Sequence, residues 1–135
     1  MNCYLNVVSL EKKIFSGKIL KIKISGIEGE LGIYPGHSQL LTMIQPGLLA
    51  LTNIDKTTEY IYLSGGILEI QPQLITILSD TAIRGVDLDI ELIKKSKKEV
   101  EKMIKNNVNK IDLKIKLIQT IAKLKVIEVM KKSKN

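Results

Sequence analysis

Few residues in this chain are of types that do chemistry. His37 is the one histidine and Cys3 the one cysteine in 135 residues. A zinc site needs three or four His, Cys or carboxylate ligands brought together, and one histidine and one cysteine far apart in sequence do not supply them. A nucleophilic triad around His37 would lack the Gly-x-Ser-x-Gly elbow that presents a serine to its base. A lone cysteine also excludes an intrachain disulfide. Gly26, Gly29, Gly32 and Gly36 crowd one stretch. They match neither the dinucleotide nor the P-loop spacing, so they read as turns and bulges of a β domain. Glu28 and Glu30 fall on one side of that stretch if it is extended. Nothing apolar lies nearby to split their pKa values, so they read as an acidic rim rather than an acid–base pair. No residue is therefore assigned to catalysis, to a cofactor or to a metal, and a non-enzymatic protein is expected.

The elements that would carry a surface site have two textures. Apolar residues make up 44% of the chain, which excludes disorder throughout. No apolar run approaches the roughly 20 residues of a membrane-spanning helix. Neither a signal peptide nor an Arg-rich transit ramp is expected at the start. The net charge of +7 is lopsided: residues 1–86 carry seven basic and seven acidic side chains, whereas residues 87–135 carry fourteen lysines and seven acids. All nine glycines and all three prolines lie at or before Gly85. The coincidence of these shifts places a boundary near residue 86, with one domain over 1–86 and a second unit over 87–135.

The first part reads as strands. Over residues 18–25, Ile22 and Ile24 alternate with Lys21 and Lys23, the period of a half-buried strand. Residues 60–63 and 67–70, separated by Ser64-Gly65-Gly66, read as a hairpin, and residues 74–78 follow after Pro72. Turn residues recur about every ten positions, as in an antiparallel sandwich or barrel. From Asp87 the pattern turns helical. Asp87 is the expected cap, and Ile93, Val100 and Ile104 mark an apolar stripe. After the break at residues 106–109, Ile111, Ile115, Ile118, Ala122, Val126 and Val129 share a sector of about 80°. The alternation of Ile111, Leu113, Ile115 and Leu117 also suits a strand, but the long stripe favours a helix and hence an antiparallel helical hairpin. A solvated lysine face or an acidic protein partner accounts for the basic unit. The alternative is a basic adaptor that binds nucleic acid or anionic lipid through residues 87–135, although the unit lacks aromatic stacking platforms.

Three separated stretches, in order, resemble the epsilon subunit of bacterial F-type ATP synthase. They are Glu28-Gly29-Glu30-Leu31-Gly32-Ile33-Tyr34-Pro35-Gly36-His37, Tyr62-Leu63-Ser64-Gly65-Gly66-Ile67-Leu68-Glu69 and Leu78-Ser79-Asp80-Thr81-Ala82-Ile83-Arg84-Gly85. The tail Ile121-Ala122-Lys123-Leu124-Lys125-Val126-Ile127-Glu128 is similar as well. The resemblance implies an α+β fold: an N-terminal antiparallel β-sandwich of about ten strands followed by a C-terminal antiparallel two-helix hairpin. It implies a non-catalytic rotor subunit of the central stalk, peripheral to the cytoplasmic face of the bacterial inner membrane. Its implied partners are the gamma subunit, the c-subunit ring and, through the hairpin, the catalytic beta subunits, with no nucleic acid. Residue by residue, it places Glu30, Leu31 and Gly32 at the c ring, with Glu28 nearby, and His37 on the gamma side. Lys123 and Lys125, with Lys114 and Lys116 behind them, would make the inhibitory contact with beta. Some family members bind ATP through an aliphatic residue, Asp, two variable residues, Arg and Ala. Here Leu88-Asp89-Ile90-Glu91 runs into Leu92 and Ile93. The forked guanidinium contact to phosphate is missing, so no cofactor is expected.

Overall fold

The computed structural model describes residues 3–26, 29–106 and 110–133. The strands are β1 (Cys3–Ser9), β2 (Lys13–Gly26), β3 (Gly29–Ile33), β4 (Leu40–Ile44), β5 (Gly47–Asn53), β6 (Thr58–Leu63), β7 (Gly66–Ile70), β8 (Leu74–Ser79) and β9 (Ala82–Arg84). A 3-10 turn (Gly85–Asp87) leads into α1 (Ile90–Lys105) and then α2 (Lys110–Ser133). Among the described residues, nine strands form one ladder in the order β4-β7-β8-β1-β2-β5-β6-β9, with β3 added to β2. The ladder closes around one core that takes buried side chains from both of its ends, among them Leu5, Ile22, Leu49, Leu63, Leu68 and Ile77. The expected α+β arrangement of a sandwich followed by two helices is observed.

Local chemistry explains how the ladder bends. Ile22 and Ile24 are buried while Lys21 and Lys23 face solvent, as the alternation requires. Ile19, on the other parity, is also buried. The switch falls at a register shift between Ile19 and Lys21 against β5, a bulge that turns β2 from its partner β1 toward β5. The sandwich is antiparallel apart from the pair β1–β8, which runs parallel with Leu5 opposite Ile75 and Val7 opposite Ile77.

The hairpin expected around Ser64-Gly65-Gly66 does not form. Strand β6 pairs with β5 and β9, while β7 pairs with β4 and β8. The glycines serve a crossing instead: Gly65 and Gly66 have φ of 109° and 140°. A Cβ on Gly66 would collide with the carbonyl oxygen of Leu78. Only glycine combines that backbone conformation with so close an approach.

The helical reading of the last segment holds, since α2 is a continuous 24-residue helix. The cap of α1 is Asp89 rather than Asp87. Asp87 is taken up by the 3-10 turn and Leu88 is extended, so the first free helix N–H groups come after residue 89. The Asp89 carboxylate accepts from the N–H groups of Glu91 (3.0 Å) and Leu92 (3.2 Å). On α1, Ile93 and Val100 are buried as the stripe requires. On α2 the stripe divides. Val126 is fully buried, with Ala122, Val129 and Met130 around it, whereas Ile111 is 73% exposed and Ile115 50%. Only the C-terminal half of α2 rests on the sandwich.

Candidate functional site

Three surfaces could receive partners. The first is the β2–β3 end. Glu30 stands on β3 opposite Ser25, and its carboxylate meets the Lys23 ammonium at 3.1 Å and the Ser25 hydroxyl at 3.4 Å. Gly32 is exposed on the same side, while Leu31 turns inward and packs against the core. The period of the strand thus separates the three residues that were grouped at the c ring: Glu30 and Gly32 face out and Leu31 faces in. A Cβ at Gly32 would touch only the Tyr34 ring, at 3.7 Å. Glu28 lies outside the described residues.

His37 ends the adjoining turn. Its backbone N–H donates to the Tyr34 carbonyl at 3.1 Å, and Gly36 takes φ +85° behind Pro35. This is a type II turn, with proline and glycine at the positions that geometry demands. The half-buried imidazole is tied locally, its Nδ1 lying 2.7 Å from the Ser38 carbonyl.

The second surface escaped the reading of the sequence. Cross-strand neighbours Met43, Ile67 and Leu78 lie in one row over β4, β7 and β8, with Leu41 one step along the face. All four are exposed, Met43 by 81% and Leu41 by 68%. The available signal was the run Leu40-Leu41-Thr42-Met43-Ile44, which is apolar on both faces and leaves one of them uncovered.

The third surface is the hairpin with its seat. Leu48, Tyr62 and Val126 form a second buried cluster, separate from the sandwich core and flanked by Tyr60, Ile83, Leu88 and Met130. Gly85 lets α2 approach, since a Cβ there would meet Met130 Sδ and lie 3.2 Å from both the Tyr60 carbonyl and Val126 Cγ1. Burial under α2 pushes the Tyr62 phenol up to about 12. The Lys123 ammonium sits 5.3 Å from the centre of the Tyr62 ring, a cation–π contact. Lys114, Lys116 and Lys125 are exposed. At 100° per residue, Lys114 and Lys125 share one flank of α2 and Lys116 and Lys123 the opposite one. No single flat surface meets all four together.

A family model described as "ATP synthase, Delta/Epsilon chain, beta-sandwich domain" matches residues 2–85. The chain belongs to the delta/epsilon-chain family of ATP synthase. Among solved structures, a chain of the Euglena gracilis mitochondrial ATP synthase, in an assembly described as OSCP/F1/c-ring, superposes with a TM-score of 0.75 at 19% identity. The match covers 99% of this chain and 82% of that one. A chain from the central stalk and c ring of the Tetrahymena thermophila mitochondrial ATP synthase gives a TM-score of 0.53 at 13% identity, covering 64% and 69%. Delta/epsilon chains are non-catalytic subunits of their complex.

In this delta/epsilon chain the second and third sequence stretches meet across the fold. Thr81 and Ser64 exchange bonds: the Ser64 N–H donates to the Thr81 carbonyl at 3.0 Å, and the Thr81 N–H to Ser64 Oγ at 2.9 Å. The buried Ser79 hydroxyl lies within bonding distance of the carbonyls of Gly65 (2.5 Å) and Thr81 (2.9 Å). Arg84, the end of the third stretch, donates to the Ile14 carbonyl at 2.9 Å. These polar side chains satisfy backbone groups of the sandwich, so the two stretches serve the fold.

Proposed function

We propose that the chain is the epsilon-type rotor subunit of an F-type ATP synthase. In this reading residues 1–86 join the gamma subunit to the c ring within the central stalk, and couple proton-driven rotation to ATP synthesis elsewhere in the complex. Residues 87–135 are the regulatory hairpin that restrains ATP hydrolysis by contact with the beta subunits. The observation that carries the reading is the division between the two hydrophobic clusters. The sandwich core draws on no helical residue, whereas the hairpin is held through the small Leu48–Tyr62–Val126 cluster. A hairpin attached in this way can leave its seat without opening the domain beneath it.

The other assignments draw on the surfaces already described. The apolar row of Met43, Ile67 and Leu78 suits a broad docking site for gamma, and His37, in the turn that follows β3, is assigned to gamma as well. Glu30 and Gly32 suit the polar loops of the c ring, where Gly32 leaves room for a close backbone. Lys123 and Lys125, backed by Lys114 and Lys116, suit acidic segments of beta. For Lys123 this contact requires leaving the Tyr62 ring. No helix among the described residues is long and apolar enough to cross a membrane. As a stalk subunit, the chain is proposed to lie peripherally, through the complex, on the cytoplasmic face of a bacterial inner membrane.

The test is ATPase activity of an epsilon-depleted catalytic head titrated with the full chain and with residues 1–86, whose core is complete without the helices. Binding by both with inhibition only by the full chain is the expected result. Binding by both with inhibition by neither would remove the brake from the reading. Failure of both to bind a gamma-containing head would remove the rotor assignment.

A further inference from the structure

Between α2 and the end of the sandwich runs a groove of about 380 Å³. This is within the span of small-molecule sites, about 300 to 1,000 Å³. One wall is Pro46 and Leu48 from the sandwich; the other is Ile118, Ile121 and Ala122 from α2. Lys125 is the one ionisable residue among the described residues that line the groove. The Ser25 hydroxyl beside it points to the Glu30 carboxylate at 3.4 Å.

This wall chemistry discriminates between ligands. A cation would meet the Lys125 ammonium, and the Glu30 carboxylate beyond Ser25 is already paired with Lys23 at 3.1 Å. A polyphosphate would meet one cation where several are needed. A nucleobase would find neither an aromatic face nor a free donor on the aliphatic walls. An alkyl chain carrying a single negative head matches both the walls and the charge. We propose that this groove binds a single-chain fatty carboxylate, its chain between Leu48 and Ile118 and its head at Lys125.

The location has a consequence that follows from linkage. The groove is lined from both the sandwich and α2, so it exists only while the hairpin is seated. A ligand that binds one of two states must shift the population toward that state. At a concentration of about ten times its Kd, such a ligand makes detachment of α2 about tenfold rarer. Fatty carboxylate would therefore hold the hairpin down. The inference stands on the docked geometry and does not require the rotor assignment.

The experiment uses the full chain and dodecanoate held below its micellar concentration. Titration calorimetry gives the affinity, and hydrogen exchange of α2 amides gives the linkage. Saturable one-site binding and slowed exchange in α2 are expected. Lys125→Glu and Ile121→Glu alter exposed groove residues outside the buried clusters, and each should weaken binding by about tenfold or more. Dodecyltrimethylammonium, with the same chain and the opposite charge, should bind at least tenfold more weakly than dodecanoate. Non-saturable uptake, unchanged affinity in both variants, equal binding of the cationic analogue, or no change in α2 exchange at saturation would each overturn the proposal.

Discussion

Val126 is the side chain on which the hairpin seat depends, and Val126→Ala gives a number. Its isopropyl group is wholly buried between α2 and the Leu48–Tyr62 surface. Removing two methyl groups forfeits about 1.6 kcal/mol at about 0.8 kcal/mol per buried group. A cavity that the rigid sandwich cannot fill brings the loss to about 2 kcal/mol. Because Val126 belongs to the second cluster and not to the core, that loss falls on docking rather than on the sandwich. A change of about 2 kcal/mol raises the detached population roughly 30-fold. Hydrogen exchange resolved by residue reads this directly. Amides of α2 between residues 120 and 130 should lose protection by roughly that factor, while those of β1 and β5 should move little. If protection falls equally in α2 and in the strands, hairpin and sandwich open as one unit, and the separability argued from the two clusters is wrong. If α2 protection does not change, Val126 does not hold the seat.

Gly85→Val places a branched side chain against Met130, Val126 and the Tyr60 carbonyl; overpacking of about 1–3 kcal/mol should loosen α2 while Gly85→Ala does so less, as measured by limited proteolysis of the hairpin. Tyr62 has its phenol raised from 10.0 to about 12 by burial. The folded protein keeps a proton that the unfolded chain releases, so this contribution is complete below pH 10 and declines as the pH rises from 10 to 12. Absorbance titration at a phenolate wavelength should show a step near 12 that Tyr62→Phe removes. Gly32→Ala should leave thermal stability within about 0.5 kcal/mol, because the new methyl meets only the Tyr34 ring. Yet it should weaken binding to c-ring preparations, and unchanged binding would place the c-ring contact elsewhere.

The strands were legible where one face is wet. Ile22 and Ile24 against Lys21 and Lys23 declared both the strand and its inner face, and the Val126 stripe declared α2 despite the competing alternation at Ile111 to Leu117. What misled was chemistry shared by two structures. A Gly-Gly pair between β-rich runs fits a two-residue hairpin, but the same positive φ values also serve a crossing between separate strand pairs. Only the approach of Gly66 to Leu78, 12 residues further on, distinguishes them. Asp87 and Asp89 are equally good caps in isolation, and the intervening 3-10 turn decided between them. The candidate sites were less legible, because partner surfaces have no internal periodicity to mark them. Glu30 and Gly32 could be named from resemblance, but their separation from Leu31 needed the strand. The apolar row over β4, β7 and β8 needed the register, since Met43, Ile67 and Leu78 are far apart in sequence.

The parallel pairing of β1 with β8 sets an order of events during synthesis. The first strand reaches its antiparallel partner β2 almost at once, but its other edge must wait for residues 74–79, and β6 must wait for β9. Contacts of that sequence separation are slow to form because a long loop has to close first. A nascent chain therefore carries an open strand edge until most of its first 84 residues have left the ribosome. The helices follow the strands, fold from local contacts, and meet a seat whose strands precede them in the chain. The element that follows the strands in the chain is also the one whose contacts lie outside the sandwich core.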